Sequence, residues 1–232
     1  MHKYIIIVAG GAGVRMGSII PKQFMLLGGK PMLMHTINAF ANCDLKDIIV
    51  VIPLPFIDYW QSLCKEYSFD VSHTTVAGGL FRSQSVKNGL SAIKEEEALV
   101  GIHDGVRPLI SENLVNLAFQ LAEEKGSAVP FIDLTDSIRF VDNEVNKSVD
   151  RDRYKLIQTP QCFSLSVLKQ VYFTEQIHSF TDDAALVEEI GCTINLFKGS
   201  EENIKITTPL DMAIAETILS RRVKNIAPGN RI

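Results

Sequence analysis

Tyr4-Ile5-Ile6-Ile7-Val8-Ala9-Gly10-Gly11-Ala12-Gly13-Val14-Arg15-Met16-Gly17 is the stretch that decides the fold. Residues 4–8 form an unbroken apolar run, short and closed by glycines, which predicts a strand buried on both faces. Such a strand belongs to a parallel sheet covered by helices. The glycines then stand at the carboxyl end of that strand, where open α/β sheets bind their ligands. Glycine lets the backbone approach a ligand closely, and successive N–H groups there can cradle an anion.

The spacing narrows the ligand. Counted from Gly11, the dinucleotide pattern GxGxxG needs glycine at position 16, where Met16 stands, and GxxxxGK[ST] has no match. The loop instead carries Arg15, and Lys22 follows in Pro21-Lys22-Gln23. Two cations at the rim of a glycine turn suit a triphosphate. Taken alone, a plain turn with solvated Arg and Lys fits equally well.

Outward from this stretch, short apolar runs alternate with segments of helical period. Strands are predicted over 47–52, 71–77, 98–102 and 127–132. Between them, a helix with Pro31 at N1 has Leu33, Ile37 and Phe40 on one face. A second helix covers 56–67. A third is capped by Ser83 or Ser85 and buries Val86, Leu90 and Ile93. A fourth is capped by Ser111, with Leu114, Leu117, Ala118 and Leu121 on one face. This alternation predicts one α/β domain over 1–232, with a Rossmann-like, mostly parallel twisted sheet and helices on both faces.

The rhythm breaks at 136–157, where polar and apolar residues alternate around Asp142-Asn143, as in a β-hairpin projecting from the body. Alternation resumes over 181–190 and 193–197. Thr208-Pro209-Leu210-Asp211 reads as a capping box with proline at N1 of a last helix. Residues 223–232 read as a loose tail.

The bulk numbers exclude several classes. The 232 residues are 46% hydrophobic and 22% charged, with a formal net charge of -4, so no global nucleic-acid footprint is expected. Cys43, Cys64, Cys162 and Cys192 form no CxxC pair, so reduced thiols are expected instead of a zinc site. No apolar run reaches the roughly 20 residues of a membrane helix, and the N-terminal run is too short for a signal segment. A cytoplasmic enzyme with no membrane or nucleic-acid partner is the expectation.

Several ordered motifs then carry a resemblance over nearly the whole chain. They are the glycine loop with Pro21-Lys22-Gln23-Phe24, Gly78-Gly79 with Arg82, and Ser85-Val86-Lys87-Asn88-Gly89-Leu90. Next come His103-Asp104-Gly105-Val106-Arg107-Pro108, Asp150-Arg151, and Gln158-Thr159-Pro160-Gln161. The last are Thr181-Asp182-Asp183-Ala184 and Asn203-Ile204-Lys205-Ile206-Thr207. Together they resemble the nucleotidyltransferases that activate sugar and alditol phosphates, and within them the cytidylyltransferases of the methylerythritol phosphate isoprenoid pathway, whose close relatives make CDP-ribitol.

The resemblance implies a nucleotide-diphospho-sugar transferase type of fold, CTP and a small alditol phosphate as substrates, and Mg²⁺. It implies that Arg15, Lys22, Arg151 and Lys205 are catalytic cations, with Arg151 gripping the acceptor phosphate from an arm that completes the neighbouring subunit's site in a homodimer. It implies nucleotide contacts from Ala9, Gly10, Gly11, Gly13, Gly79 and Ser85. Asp104 would hold Mg²⁺ or bond the ribose. Arg107 would face the acceptor or support Asp104, while Ser137, Thr159 and Thr181 would serve the acceptor.

The chain also departs from the pattern. Leu80-Phe81 stand where an acidic residue is common after the two glycines, and Ala9-Gly10-Gly11 replaces the frequent Ala-Ala-Gly. The second departure keeps a ribitol-5-phosphate cytidylyltransferase as the alternative. A non-catalytic nucleotide-binding module is the alternative of another class; it predicts loss of at least one of the four cations, and all four are present.

Overall fold

The structure, a computed structural model, describes residues 1–10, 20–173, 180 and 182–226. In chain order the elements are β1 (His2–Val8), β2 (Leu26–Leu27), β3 (Lys30–Pro31), α1 (Met32–Asn38), β4 (Asp47–Ile52), α2 (Ile57–Glu66), β5 (Thr74–Ala77), α3 (Arg82–Ser91) and β6 (Ala98–Asp104). They continue with α4 (Glu112–Lys125), β7 (Ser127–Asp133), β8 (Arg139–Asp142), β9 (Val145–Ser148), β10 (Lys155–Ile157), β11 (Gln161–Ser164), α5 (Leu165–Tyr172), α6 (Asp183–Glu188), β12 (Leu196–Lys198) and α7 (Pro209–Ile226).

The sheet order is β10-β7-β11-β6-β1-β4-β5, with β12 beside β7. β6, β1, β4 and β5 run parallel, in keeping with the continuous apolar runs of β1 and β4. The side chains of β1 alternate between two cores. Ile5 and Ile7 join Leu33, Ile37, Trp60 and Phe119 from α1, α2 and α4. Tyr4 and Ile6 join Val86, Leu90, Leu165 and Leu168 from α3 and α5. Strict two-residue alternation therefore feeds both helical layers from one apolar run.

The chain leaves β1 toward β4 on one side, and β6 lies on the other, so the strand order reverses at β1. That reversal opens a crevice beyond the carboxyl ends of β1 and β6. A third small core of Leu27, Met32, Val106, Leu109, Ile206 and Ala215 fixes α7 beside this crevice. α7 begins as the capping box predicts: Asp211 Oδ2 accepts from the N–H groups of Thr207 and Thr208, each at 2.8 Å, and Thr208 Oγ1 accepts from Asp211 N–H at 3.2 Å.

Several expectations change. The cap of α3 is Phe81, with no side-chain cap bond, because the helix starts at Arg82 and already contains Ser83 and Ser85. Ser111 does cap α4, but Leu117 is 40% exposed; the buried stripe runs through Leu114, Val115, Ala118, Phe119 and Ala122. The projecting hairpin is β8 with β9, and β10 returns to the main sheet antiparallel to β7. β11, unread in the sequence, inserts antiparallel between β6 and β7. Residues 223–226 continue α7, and the remainder of the expected tail lies outside the described residues. Among the described residues no helix is long and apolar enough to cross a membrane.

Candidate active site

The site starts from backbone. Val8 at the end of β1 is in register with Asp104 at the end of β6. Ala9 donates its N–H to Val51 O at 2.9 Å, and its carbonyl accepts from the buried Gln23 Nε2 at 2.6 Å. Gly105 N–H reaches Val8 O at 2.9 Å; a Cβ on Gly105 would stand 3.1 Å from both that oxygen and Ala9 Cβ. Glycine is what allows the two strand ends to approach this closely.

Above this floor lies a cavity of about 310 Å³. Gly79, Leu80, Phe81, Arg82 and Ser85 line it from the turn before α3 and the start of that helix. Lys22, Gln23, Asp104, Val106 and Lys205 line it as well. Lys22 Nζ donates to Ile206 O at 3.4 Å, and Ile206 N–H is tied to Val106 O at 2.9 Å, so Lys22 and Lys205 are held at one rim.

Asp104 is the buried anion of the site. Its Oδ2 lies 3.1 Å from Arg107 Nε and 3.1 Å from Lys205 Nζ. Burial alone would raise its pKa, but the charges of Lys205, Arg107 and Arg82 outweigh burial and hold the carboxyl well below its usual range. It is therefore a fixed carboxylate, suited to accept from a hydroxyl or share a cation.

Beneath Asp104 is a buried polar network. Thr159 Oγ1 accepts from Asp104 N–H at 3.1 Å and lies 3.0 Å from His103 Nδ1. The Arg107 carbonyl, 3.1 Å from Nε2, can only accept, so the neutral ring carries its proton on Nε2 and Nδ1 accepts from the threonine hydroxyl. Burial lowers the His103 pKa to about 4, so the ring is neutral at neutral pH, as this assignment needs. Arg107 Nη1 donates to Asn203 O at 2.8 Å, and Asn203 Nδ2 donates to Thr159 O at 2.9 Å.

A second cavity of about 90 Å³ shares Arg82, Asp104 and Lys205 with the first, and adds Arg107, Thr159, Gln161 and Asp182. Arg82 divides the two. It pairs bidentately with the fully buried Asp183 at 2.8 and 2.6 Å, and Tyr172 Oη donates to the same carboxylate at 2.5 Å. Asp182 caps α6 through Ala185 N–H at 3.0 Å and accepts from Gln161 Nε2 at 2.9 Å. Two adjoining cavities with cations on their shared boundary can bring two phosphorylated molecules together.

The structure thus brings Ala9, Gly10, Lys22, Gly79, Ser85, Asp104 and Lys205 to the larger cavity, and Arg107 and Thr159 to the smaller. Thr159 is buried and its hydroxyl is already engaged below Asp104, so its place is that of a support and not of an open acceptor contact. Arg107 resolves toward its second expected role, bracing Asp104. Arg151 and Ser137 are exposed near the hairpin and line neither cavity; Arg151 donates to Thr135 O. Gly11, Gly13, Arg15 and Thr181 lie outside the described residues.

Sequence reasoning missed the roles of Arg82, Asp183, Gln23 and Asn203. Arg82 stood within a recognised motif, a usable signal. The burial of Asp183 and Asn203 is set by tertiary contacts that no local pattern shows. For a metal, Asp104 is, among the described residues, the one carboxylate lining the larger cavity, and no cluster of three His, Cys, Asp or Glu occurs among them. One carboxylate fits a Mg²⁺ held mainly by phosphate oxygens, and does not fit an all-protein cage.

A helix-covered, largely parallel sheet that gathers lysine, arginine and one buried aspartate at its switch point defines an α/β enzyme of the phosphate-handling, nucleotide-binding class. The family model described as IspD, 2-C-methyl-D-erythritol 4-phosphate cytidylyltransferase, matches residues 3–221, and the chain belongs to that family. A protein of that name from Bacteroides thetaiotaomicron is 46% identical over 220 residues, covering 94% of this chain and 100% of its own. One from Azobacteroides pseudotrichonymphae is 48% identical, covering 94% of this chain and 99% of its own. The crystal structure of 2-C-methyl-D-erythritol 4-phosphate cytidylyltransferase from Thermus thermophilus matches with a TM-score of 0.78 at 29% identity, covering 95% of this chain and 100% of that one. The crystal structure of 4-diphosphocytidyl-2C-methyl-D-erythritolsynthase from Anaerococcus prevotii gives 0.80 at 28% identity, covering 95% and 96%.

Proposed function

We propose that the chain transfers CMP from CTP to 2-C-methyl-D-erythritol 4-phosphate, giving 4-diphosphocytidyl-2-C-methyl-D-erythritol and pyrophosphate for isoprenoid precursor biosynthesis. The observation that carries this reading, beside family membership, is the pair of cavities joined at Arg82, Asp104 and Lys205. The nucleotide occupies the larger and the alditol phosphate the smaller. An acceptor phosphate oxygen attacks the α-phosphorus while the bond from that phosphorus to the bridging oxygen breaks, and pyrophosphate leaves with that electron pair. The attacking phosphate is already anionic, so no general base is needed. The obstacle is repulsion between two anions, and fixed cations remove it.

Lys22 and Lys205 supply that charge at the cavity rim, and the family resemblance assigns the same role to Arg15. Asp104, kept ionised, accepts from a ribose hydroxyl or offers one oxygen to Mg²⁺. When bound, the ion would neutralise triphosphate charge. Ala9 and Gly10 present backbone groups to the nucleoside, Thr181 serves the acceptor, and Arg107 and Thr159 keep Asp104 in place.

We further infer a homodimer in which Arg151 and Ser137 reach the partner's acceptor cavity. The exposed Phe140, Val141 and Val145 on the hairpin support this, since apolar side chains on a projecting arm call for a covering surface. Free cysteines support a reducing compartment, the cytoplasm.

Turnover by the purified protein with CTP, Mg²⁺ and each of two acceptors tests the reading. Methylerythritol phosphate is expected to be the far better substrate. Preference for ribitol 5-phosphate would move the assignment to the alternative, and no turnover of either would end it.

A further inference from the structure

Leu80 and Phe81 replace the expected acidic residue, and they are unusually placed. Leu80 is 91% exposed and Phe81 is 72% exposed, yet both line the nucleotide cavity. Phe81 occupies the N-cap of α3 with no side-chain cap bond, where Ser, Thr, Asp or Asn would satisfy a free helix N–H. Its ring has no aromatic partner among the described residues. An exposed aromatic at an uncapped helix start breaks two local rules at one position, and such breaks collect at functional sites.

The turn that carries them is firmly held. Gly78 N–H donates to Ile52 O at 2.8 Å, and Gly79 N–H to Ser85 Oγ at 3.1 Å. Leu80 N–H donates to Gln84 Oε1 at 3.0 Å, and Ser85 Oγ to Phe81 O at 3.1 Å. Asn88 Nδ2 adds a bond to Ala77 O at 2.8 Å. These bonds have a second consequence: the N–H groups of Gly79 and Leu80 are used inside the turn, so they are not donors for a nucleobase. A Cβ on Gly10 would lie 3.5 Å from Ser85 Oγ, so this turn faces the end of β1 across a narrow gap. The lysines of the cavity, Lys22 and Lys205, come from other segments of the chain, where Lys22 Nζ donates to Ile206 O at 3.4 Å.

We propose that Leu80 and Phe81 form the apolar cover of the base subsite, holding the pyrimidine ring by surface burial. This rests on the cytidylyl-transfer reading. The pair raises affinity for the nucleoside end of the nucleotide and leaves the phosphate chemistry to the cations. An apolar cover has no hydrogen-bonding groups, so discrimination of cytosine from uracil falls to other groups that line the cavity, such as the backbone of Gly10.

The test uses Leu80→Ala, Phe81→Ala and the double variant in full-length protein, with inorganic tripolyphosphate as a competitive probe that has no base. The KM for CTP should rise roughly tenfold in the double variant, the scale expected when two large apolar contacts are removed. The kcat at saturating CTP and the KM for the acceptor should change less than about twofold, and the inhibition constant of tripolyphosphate should not move. An unchanged KM for CTP in the double variant overturns the proposal, as does an equal loss of tripolyphosphate binding, which would place the pair at the phosphates. Wild-type protein that fails to use CTP at all would instead overturn the functional reading on which the proposal rests.

Discussion

At the residue scale, the site depends on groups that never meet a substrate. His103 joins Thr159 and the Arg107 carbonyl, and through them steadies Asp104. Its folded pKa of about 4 lies below the ordinary 6.5. Between those values the unfolded chain binds a proton that the native ring refuses, so stability must fall as pH drops from about 6.5 to about 4. Asp104 acts in the same direction but lower, because its depressed pKa adds stability that is lost only as pH falls below the usual carboxylate range. Urea unfolding across this range should show the decline, and His103→Gln should flatten its upper part. An identical slope in the variant would show that the ring is not the group responsible. Of the residues singled out in the sequence, Lys22, Asp104 and Lys205 meet at one cavity, while Arg151 and Ser137 line neither cavity; Asp104 is placed by the end of β6, and Lys22 and Lys205 by loop segments that pack beside it. Support of Asp104 was one of the two roles read for Arg107, whereas Thr159 was read as an acceptor contact and not as a brace, since hydrogen-bond partners depend on which side chains burial leaves without water.

At the scale of elements, the parallel strands were the easiest to read. Residues 4–8 and 48–52 are apolar without interruption, and runs this short fit strands covered on both faces. β11 escaped notice because Gln161–Ser164 is four residues of mixed character whose strand identity comes from pairing with β6 and β7. The misjudged α4 stripe has a similar cause: Leu117 is as apolar as Leu114, and only packing shows which the sheet covers. The hairpin was legible from its alternation and from Asn143, which adopts φ 49° at the turn. Its proposed action across subunits can be measured by mixing. Lys22→Ala and Arg151→Ala proteins should each be nearly inactive, and after subunit exchange the mixture should recover about a quarter of wild-type activity. Half of randomly paired dimers are mixed, and each mixed dimer has one intact site of two. No recovery, with exchange verified independently, would confine each site to a single subunit.

At the scale of the whole molecule, the formal net charge of -4 runs against the chemistry, since both substrates are anions. The fold resolves this by concentration of charge. Lys22 is placed by the turn after the glycine loop, Arg82 by the start of α3, Arg107 by the turn after β6, and Lys205 by the approach to α7. Four separate chain segments meet at one switch point, where a few aimed cations outweigh a diffuse negative surface. Lys22→Ala measures this most directly, because the side chain lies at the cavity rim and its loss leaves the cores intact. Steady-state kcat should fall by about 10²-fold or more, with thermal stability close to wild type. Wild-type kcat in a well-folded Lys22→Ala protein would contradict the account.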